Sequence, residues 1–188
     1  GELGRSWDST LFARLRPLPN GNVDWFDGTG RRETFRYDAP PRSLEAPAGL
    51  FATLALGKDG AYYLSFPEKT VHRYDGGGRL LEIRDPVTAE ARPDGIDGNR
   101  VRLFRDPGGR VAEVVDSLGH VLRLDYFEPS ESSRPGYFEG RLEAVTDHTG
   151  RSFGYRYDAK GRLSKVLRPE IRTVSIGTPL AGEEGRPS

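Results

Sequence analysis

Gly150-Arg151-Ser152-Phe153-Gly154 has the Gly-x-Ser-x-Gly spacing of a nucleophile elbow, where a serine sits on a sharp turn between a strand and a helix. Here a turn, Asp147-His148-Thr149-Gly150, leads instead into alternating Phe153, Tyr155 and Tyr157, which is strand periodicity. Ser152 is therefore read as a solvent-facing strand residue. His72, His120 and His148 offer imidazoles but lie too far apart for a local metal motif. Asp94, Asp97 and Asn99 offer oxygen ligands with glycines between them, yet they lack the spacing and bidentate Glu of a calcium loop and read as a turn. The pattern predicts no catalytic residue, no metal and no cofactor: the chain reads as a non-enzyme.

A different chemistry is carried by the first third, where Arg14, Arg16, Arg31, Arg32 and Arg36 make the sequence locally basic around Trp25 and Phe26. Aromatic rings stack on sugars and guanidinium groups read acids. A solvated face is the first reading of this cluster; Trp25, Phe26, Arg31 and Arg32 are the candidate surface for a glycan or an anionic ligand, and carbohydrate binding or adhesion is the alternative function that it suggests.

What must position these groups is a β-rich chain. Its 24 Gly and 14 Pro in 188 residues supply many turns, while 8 Tyr, 9 Phe and 2 Trp supply bulky strand formers. Lys+Arg 28 balances Asp+Glu 28, so nothing in the net charge calls for nucleic acid or an anionic membrane. No apolar run is long enough to span a bilayer, and no basic start with an apolar stretch marks a signal peptide, so the expectation is a soluble chain without a membrane span. Cys 0 removes disulfides and thiolate sites and leaves the redox compartment open. Met 0, with Gly1 first, reads as a piece of a longer protein.

Taken in order, Leu11 to Leu15 and Val23 to Phe26 read as strands around the reversal Pro19-Asn20-Gly21-Asn22, and Asp27-Gly28-Thr29-Gly30 turns the chain into Arg31 to Tyr37. Residues 44–56 hold the one helical possibility, which Pro47 and Gly49 interrupt, so they read as loop and strand. Further on, aligned glycines expose a repeat. Tyr74-Asp75 leads to Gly78-Arg79, Tyr157-Asp158 leads to Gly161-Arg162, and Gly109-Arg110 and Gly140-Arg141 lie between. A second turn alternates with it, from Asp116 to Gly119 and from Asp147 to Gly150-Arg151. Asp bonds the backbone two residues on and Gly supplies a positive φ.

Gly140 to Gly161 spans 21 residues, one hairpin of two short strands and two tight turns. Pro86 to Ile96 and Pro129 to Phe138 read as insertions of about ten residues, projecting from opposite sheet edges. Leu142 with Val145, and Leu163 with Val166, stand three apart where strict alternation wants two, which predicts a bulge or an early strand end. The Arg after each Gly is expected to lace repeats by meeting an aromatic ring or a neighbouring turn's carboxylate.

On the motifs Tyr74 to Leu80, Gly140 to Asp147 and Tyr157 to Leu163, the sequence resembles the Rhs/YD-repeat family, which includes bacterial Rhs polymorphic toxins, shell components of insecticidal Tc toxins, and teneurins. The resemblance covers roughly residues 60 to 168, and Gly4 to Phe35 is similar to the segment leading into Rhs repeats. It implies a long β ribbon spiralling into a hollow shell around a toxin or other cargo. It also implies a secreted or cell-surface location for the parent protein. Asp106-Pro107-Gly108-Gly109, followed by Arg110, reads as a repeat turn and not as the self-cleavage motif that ends Rhs cores.

The resulting expectation is all-β: an antiparallel meander of YD-type hairpins forming a curved sheet or partial shell. Residues 1–60 lead in, 61–170 carry the hairpins, and 171–188 form a tail or linker. The function expected is a non-catalytic module of a shell or scaffold. Its partners would be other segments of the shell or a toxin cargo, with homo-oligomerisation possible through exposed sheet edges.

Overall fold

Five Asp-x-x-Gly turns among the described residues close with the same local bonds, and those bonds dictate the meander. In the computed structural model, which describes residues 3, 8–38, 43–85, 99–128 and 138–169, the N–H of Gly78 donates to the carbonyl of Asp75 at 2.9 Å and the N–H of Asp75 donates to the carbonyl of Arg79 at 2.9 Å. The same pair of bonds recurs at Asp106, Asp116, Asp147 and Asp158. The two turn types of the sequence are thus one turn, used on both edges of the sheet.

Among the described residues fourteen strands follow, each antiparallel to the one before it: β1 (Arg14–Pro17), β2 (Val23–Phe26), β3 (Arg32–Asp38), β4 (Ser43–Glu45), β5 (Thr53–Leu56), β6 (Tyr62–Ser65), β7 (Val71–Tyr74), β8 (Leu80–Arg84), β9 (Arg100–Arg105), β10 (Val111–Val115), β11 (Val121–Tyr126), β12 (Leu142–Thr146), β13 (Ser152–Tyr157) and β14 (Leu163–Leu167). They form one open sheet in sequence order. Residues 44–56 contribute strands and a loop, as Pro47 and Gly49 favour, and β5 pairs with β6 across residue 60 without a break. A 3₁₀ turn at Thr10–Phe12, with the Ser9 hydroxyl accepting from the Leu11 N–H, leads into β1.

The expected bulge is present and repeats. Register shifts opposite Leu80/Glu82, Val111/Glu113, Leu142/Ala144 and Leu163/Lys165 place one extra residue two positions after each Gly-Arg. Each shift re-aims the strand so that the apolar residue after Arg faces the core. The inserted segments 86–98 and 129–137 lie outside the described residues, but their attachment points are fixed. Asp85 donates to the Asn99 carbonyl, and Gly140 donates to the carbonyl of Phe127, which stands in the Asp slot. β8 and β11 run antiparallel, so these two sites fall on opposite edges.

The sheet curls. The N–H of Leu15 donates to the Gly78 carbonyl at 2.8 Å, and Arg14 bridges Arg79, so the first strand lands on the turn between β7 and β8. Leu15, Val23, Trp25, Phe35, Leu54, Leu64, Tyr74 and Leu80 fill the interior this creates, and the core continues through Leu103, Val111, Val114, Leu124, Tyr126 and Leu142.

Candidate functional site

Two arrangements carry the side-chain chemistry, and the first is a ladder between repeats. The carbonyl of the apolar residue just before each bulge accepts a side chain from the next repeat. Tyr126 donates its hydroxyl to the Val111 carbonyl at 2.8 Å, and Tyr157 donates to that of Leu142 at 2.9 Å. Arg105, which holds the Tyr position of its repeat, donates Nη2 to the Leu80 carbonyl at 3.0 Å. A Tyr or a long cation fills this slot because either brings a donor across a buried distance where an unpaired carbonyl would be costly. The separation is 15 residues in the first two cases and 25 across the insertion.

Tyr74 breaks the series: its hydroxyl instead accepts from the indole N–H of Trp25 at 3.2 Å, 49 residues away. This corrects the place given to Trp25 by its basic neighbours. It is only 6 % exposed and packs on Phe66 at the joint between the leading hairpin and the repeats, because alternation along β2 turns Val23 and Trp25 inward. His72 lies edge-on to Phe66 and within 3.4 Å of the Tyr74 hydroxyl, and its burial pushes its pKa below the ordinary 6.5.

The arginines of the turns also depart from expectation. Arg110, Arg151 and Arg162 pair with Asp106, Asp147 and Asp158 of their own turns at 2.7 Å, and His120 pairs with Asp116 at 2.9 Å. Four residues across a closed turn is the shortest reach open to the side chain, so the nearest carboxylate wins. Lacing survives where the arm extends further: Arg110 lies over the Tyr126 ring and meets Glu128 at 3.3 Å. Similarly, the Arg79 guanidinium rests against Gly109 of the next turn on that edge, and Arg141 lies over the Phe138 ring.

The second arrangement is on the outer face of the leading hairpin. Cross-strand pairing sets Arg14, Phe26 and Arg32 in one row and Arg16, Asp24 and Thr34 in the next. Asp24 is wholly covered; its Oδ2 accepts from Arg16 at 2.6 Å and from Arg32 at 2.9 Å, and its Oδ1 accepts from Thr34 at 2.7 Å. Burial works to raise its pKa, but these bonds from Arg16, Thr34 and Arg32 hold it below the ordinary carboxylate value. The guanidinium groups of Arg14, Arg16 and Arg32 lie 4.6, 5.5 and 5.8 Å from the centre of the Phe26 ring. Phe26 and Arg32 of the candidate surface are therefore here, whereas Arg31 turns away to Glu33. Asp24 was missed by sequence reading, although Arg16 and Arg32 each lie eight residues from it, the spacing that two hairpins bring side by side.

Ser152 opens β13 and its hydroxyl accepts from Thr146, so a turn leads into a strand and the elbow geometry is not formed. His120 and His148 stack face to face with centroids 4.1 Å apart, a meeting their sequence separation hid, because successive turns of one edge become neighbours. Among the described residues no group of three or more His, Cys, Asp or Glu is placed to hold a metal. Asp94 and Asp97 lie outside the described residues. Among the described residues no helix is long and apolar enough to cross a membrane.

With the repeat geometry in place, comparison with known proteins identifies it. Residues 139–170 match the sequence family described as RHS Repeat. Over these residues the chain is similar to an Rhs repeat. It is also similar to Teneurin-m of Drosophila melanogaster, 30% identical over 96 residues, covering 45% of this chain and 4% of that protein. The chain thus spans a small fraction of that relative's length. The matched 139–170 stretch contains the Tyr157-to-Leu142 bond and the turns at Asp147 and Asp158, so the similarity falls on the ladder.

The shifted groups give the repeats two acid-sensitive windows. An unfolded chain protonates His72 below 6.5, which the folded chain resists, so stability declines as pH falls from 6.5 toward the lower folded value. Asp147 is held down first by the Thr149 hydroxyl and then by Arg151, and Asp158 first by the backbone N–H of Arg162 and then by its guanidinium. Their contribution is complete above the ordinary 3.8 and is lost as pH falls through their folded values. A melting temperature followed against pH is expected to fall in two steps, and His72→Gln removes the upper step alone. A single step in the wild-type chain would refute the assignment of His72.

Proposed function

We propose that the chain is a structural module of an Rhs/YD-repeat protein, contributing hairpins to a shell or scaffold wall that encloses or presents a toxin or other partner outside the cell that makes it. The ladder carries this reading, because each repeat is completed only by the next. Leu80, Val111 and Leu142, whose carbonyls receive a donor, are 0%, 1% and 2% exposed. Leu163 occupies the same position in the last described repeat and is only partly buried, and Val166 beside it is 47 % exposed, where its counterpart Val114 is 5 % exposed. Among the described residues nothing completes the repeat interface at β14, which supports the reading of a wall segment. The adhesion reading gains nothing comparable, since Trp25 is inside and guanidinium groups cover Phe26.

The test is to insert a second copy of residues 147–167 directly after Leu167, one 21-residue period. The added strand is expected to pair with β14 and to slow exchange of its amides roughly tenfold or more. Tyr157→Phe in the added copy should remove much of that gain. An added copy that stays unprotected, or protection indifferent to the tyrosine, would sink the reading.

A further inference from the structure

The outer face of β1, β2 and β3 is built as a preorganised cationic clamp. Three guanidinium groups, of Arg14, Arg16 and Arg32, face two carboxylates, Asp24 and Asp8, which leaves one positive charge in excess. Asp24 is saturated from below: Arg16 spends Nε and Nη2 on it, and Arg32 spends Nη2. Arg14 meets Asp8 only at 3.9 Å, the loosest pair of the group. All three side chains remain about half exposed, at 49%, 54% and 54%, so their remaining N–H edges are open to solvent. Ordering these groups before a ligand arrives removes much of the side-chain entropy that binding otherwise costs. Guanidinium forks match oxyanions geometrically.

We propose that this cluster binds an oxyanion, a sulfate, phosphate or carboxylate group, bridged between Arg14 and the outward edges of Arg16 and Arg32 above Phe26. Asp24 is its positioning residue. Stacked on Phe26 and tied to Asp24, the guanidinium groups present a fixed surface, which a flexible basic patch does not. The Phe26 ring serves as the platform for the arginines, so the ligand is recognised by charge and hydrogen bonds and a neutral sugar finds no ring to stack on. The site is independent of the scaffold reading, since it lies on the leading hairpin and uses no ladder residue.

The experiment is a titration of the full chain with sodium sulfate, and in parallel with phosphate and acetate, at constant ionic strength set with chloride, followed by the arginine Nε–H signals in NMR. Saturable shifts of Arg14, Arg16 and Arg32 are expected with at least one of these anions, and the anion that saturates first assigns the ligand as tetrahedral or carboxylate. Arg14→Gln is expected to weaken binding about tenfold, the loss of one charge-assisted contact. Asp24→Asn separates a clamp from a mere patch: removing a negative charge tightens anion binding to a patch, whereas losing the positioning carboxylate weakens binding to a clamp. Absence of saturation with all three anions, or tighter binding in Asp24→Asn, overturns the proposal. If Asp24→Asn does not fold, unchanged affinity in Arg14→Gln overturns it equally.

Discussion

Gly78→Ala is expected to destabilise the chain by about 3 kcal/mol, the sum of left-handed strain, a lost backbone hydrogen bond and local repacking. Gly78 has φ +86°, which an L side chain adopts only with strain, and a Cβ there would stand 2.2 Å from the Leu15 carbonyl oxygen. That oxygen is backbone and does not swing aside. Relief requires moving β1 as a whole, which breaks the Leu15-to-Gly78 bond and opens the interior around Leu15, Trp25 and Tyr74. Gly150 is the control. Its φ is +85° in the same kind of turn, but nothing lies within 4 Å of its would-be Cβ, so Gly150→Ala should cost only about 1 kcal/mol of strain. Urea denaturation of the two variants checks the difference. Equal losses would mean that β1 does not rest on the Gly78 turn.

Tyr74→Phe is expected to cost about 2 kcal/mol, within the range for leaving a buried donor unpaired. Tyr74 is wholly buried, and its hydroxyl is the acceptor for the Trp25 indole N–H and the neighbour of His72 Nδ1. Phenylalanine fills the same volume, so the loss reports the hydrogen bond and not a cavity. One indole N–H resonance should move in the variant, and proton exchange of the β1 and β2 amides should quicken as the leading hairpin loosens. Tyr63→Phe provides the surface comparison: its hydroxyl bonds Asp59 in solvent, and its removal should stay within about 0.5 kcal/mol. If Tyr74→Phe is as mild as Tyr63→Phe, the joint is not held by this bond.

Turn chemistry was the most legible part of the chain. Asp and Gly act on the backbone within four residues, so their spacing carries the bonds from Asp75 to Arg79 and from Asp158 to Arg162 without help from elsewhere. The bulge was legible for a related reason: an apolar pair at the wrong spacing, as in Leu142 and Val145, betrays one extra residue in a strand of otherwise strict alternation. Insertions were legible as lengthened spacings. The arginine partners were misjudged because a sequence does not say that the carboxylate of the same turn lies closer than that of the next one; the closed turn at Asp158 brings Arg162 to 2.7 Å.

Trp25 marks the limit most clearly. Adjacent residues of a strand face opposite ways, so Trp25 and Phe26 could not share the one surface that the sequence reading gave them; which of the two the sheet would close over was not legible. That was decided by the curl that lays Leu15 on Gly78 and carries Trp25 to Tyr74 across 49 residues. The covered position of Asp24 beneath Arg16 and Arg32 has the same origin, since three strands must come into register before one carboxylate can meet both. The sequence by itself determined the all-β meander, its period and its turns, because these are local matters of backbone conformation and side-chain alternation. Only the tertiary structure decided how repeats are tied through bulge carbonyls, which face is interior, and where charge gathers around Phe26, because those depend on the register and curvature of strands far apart in the chain.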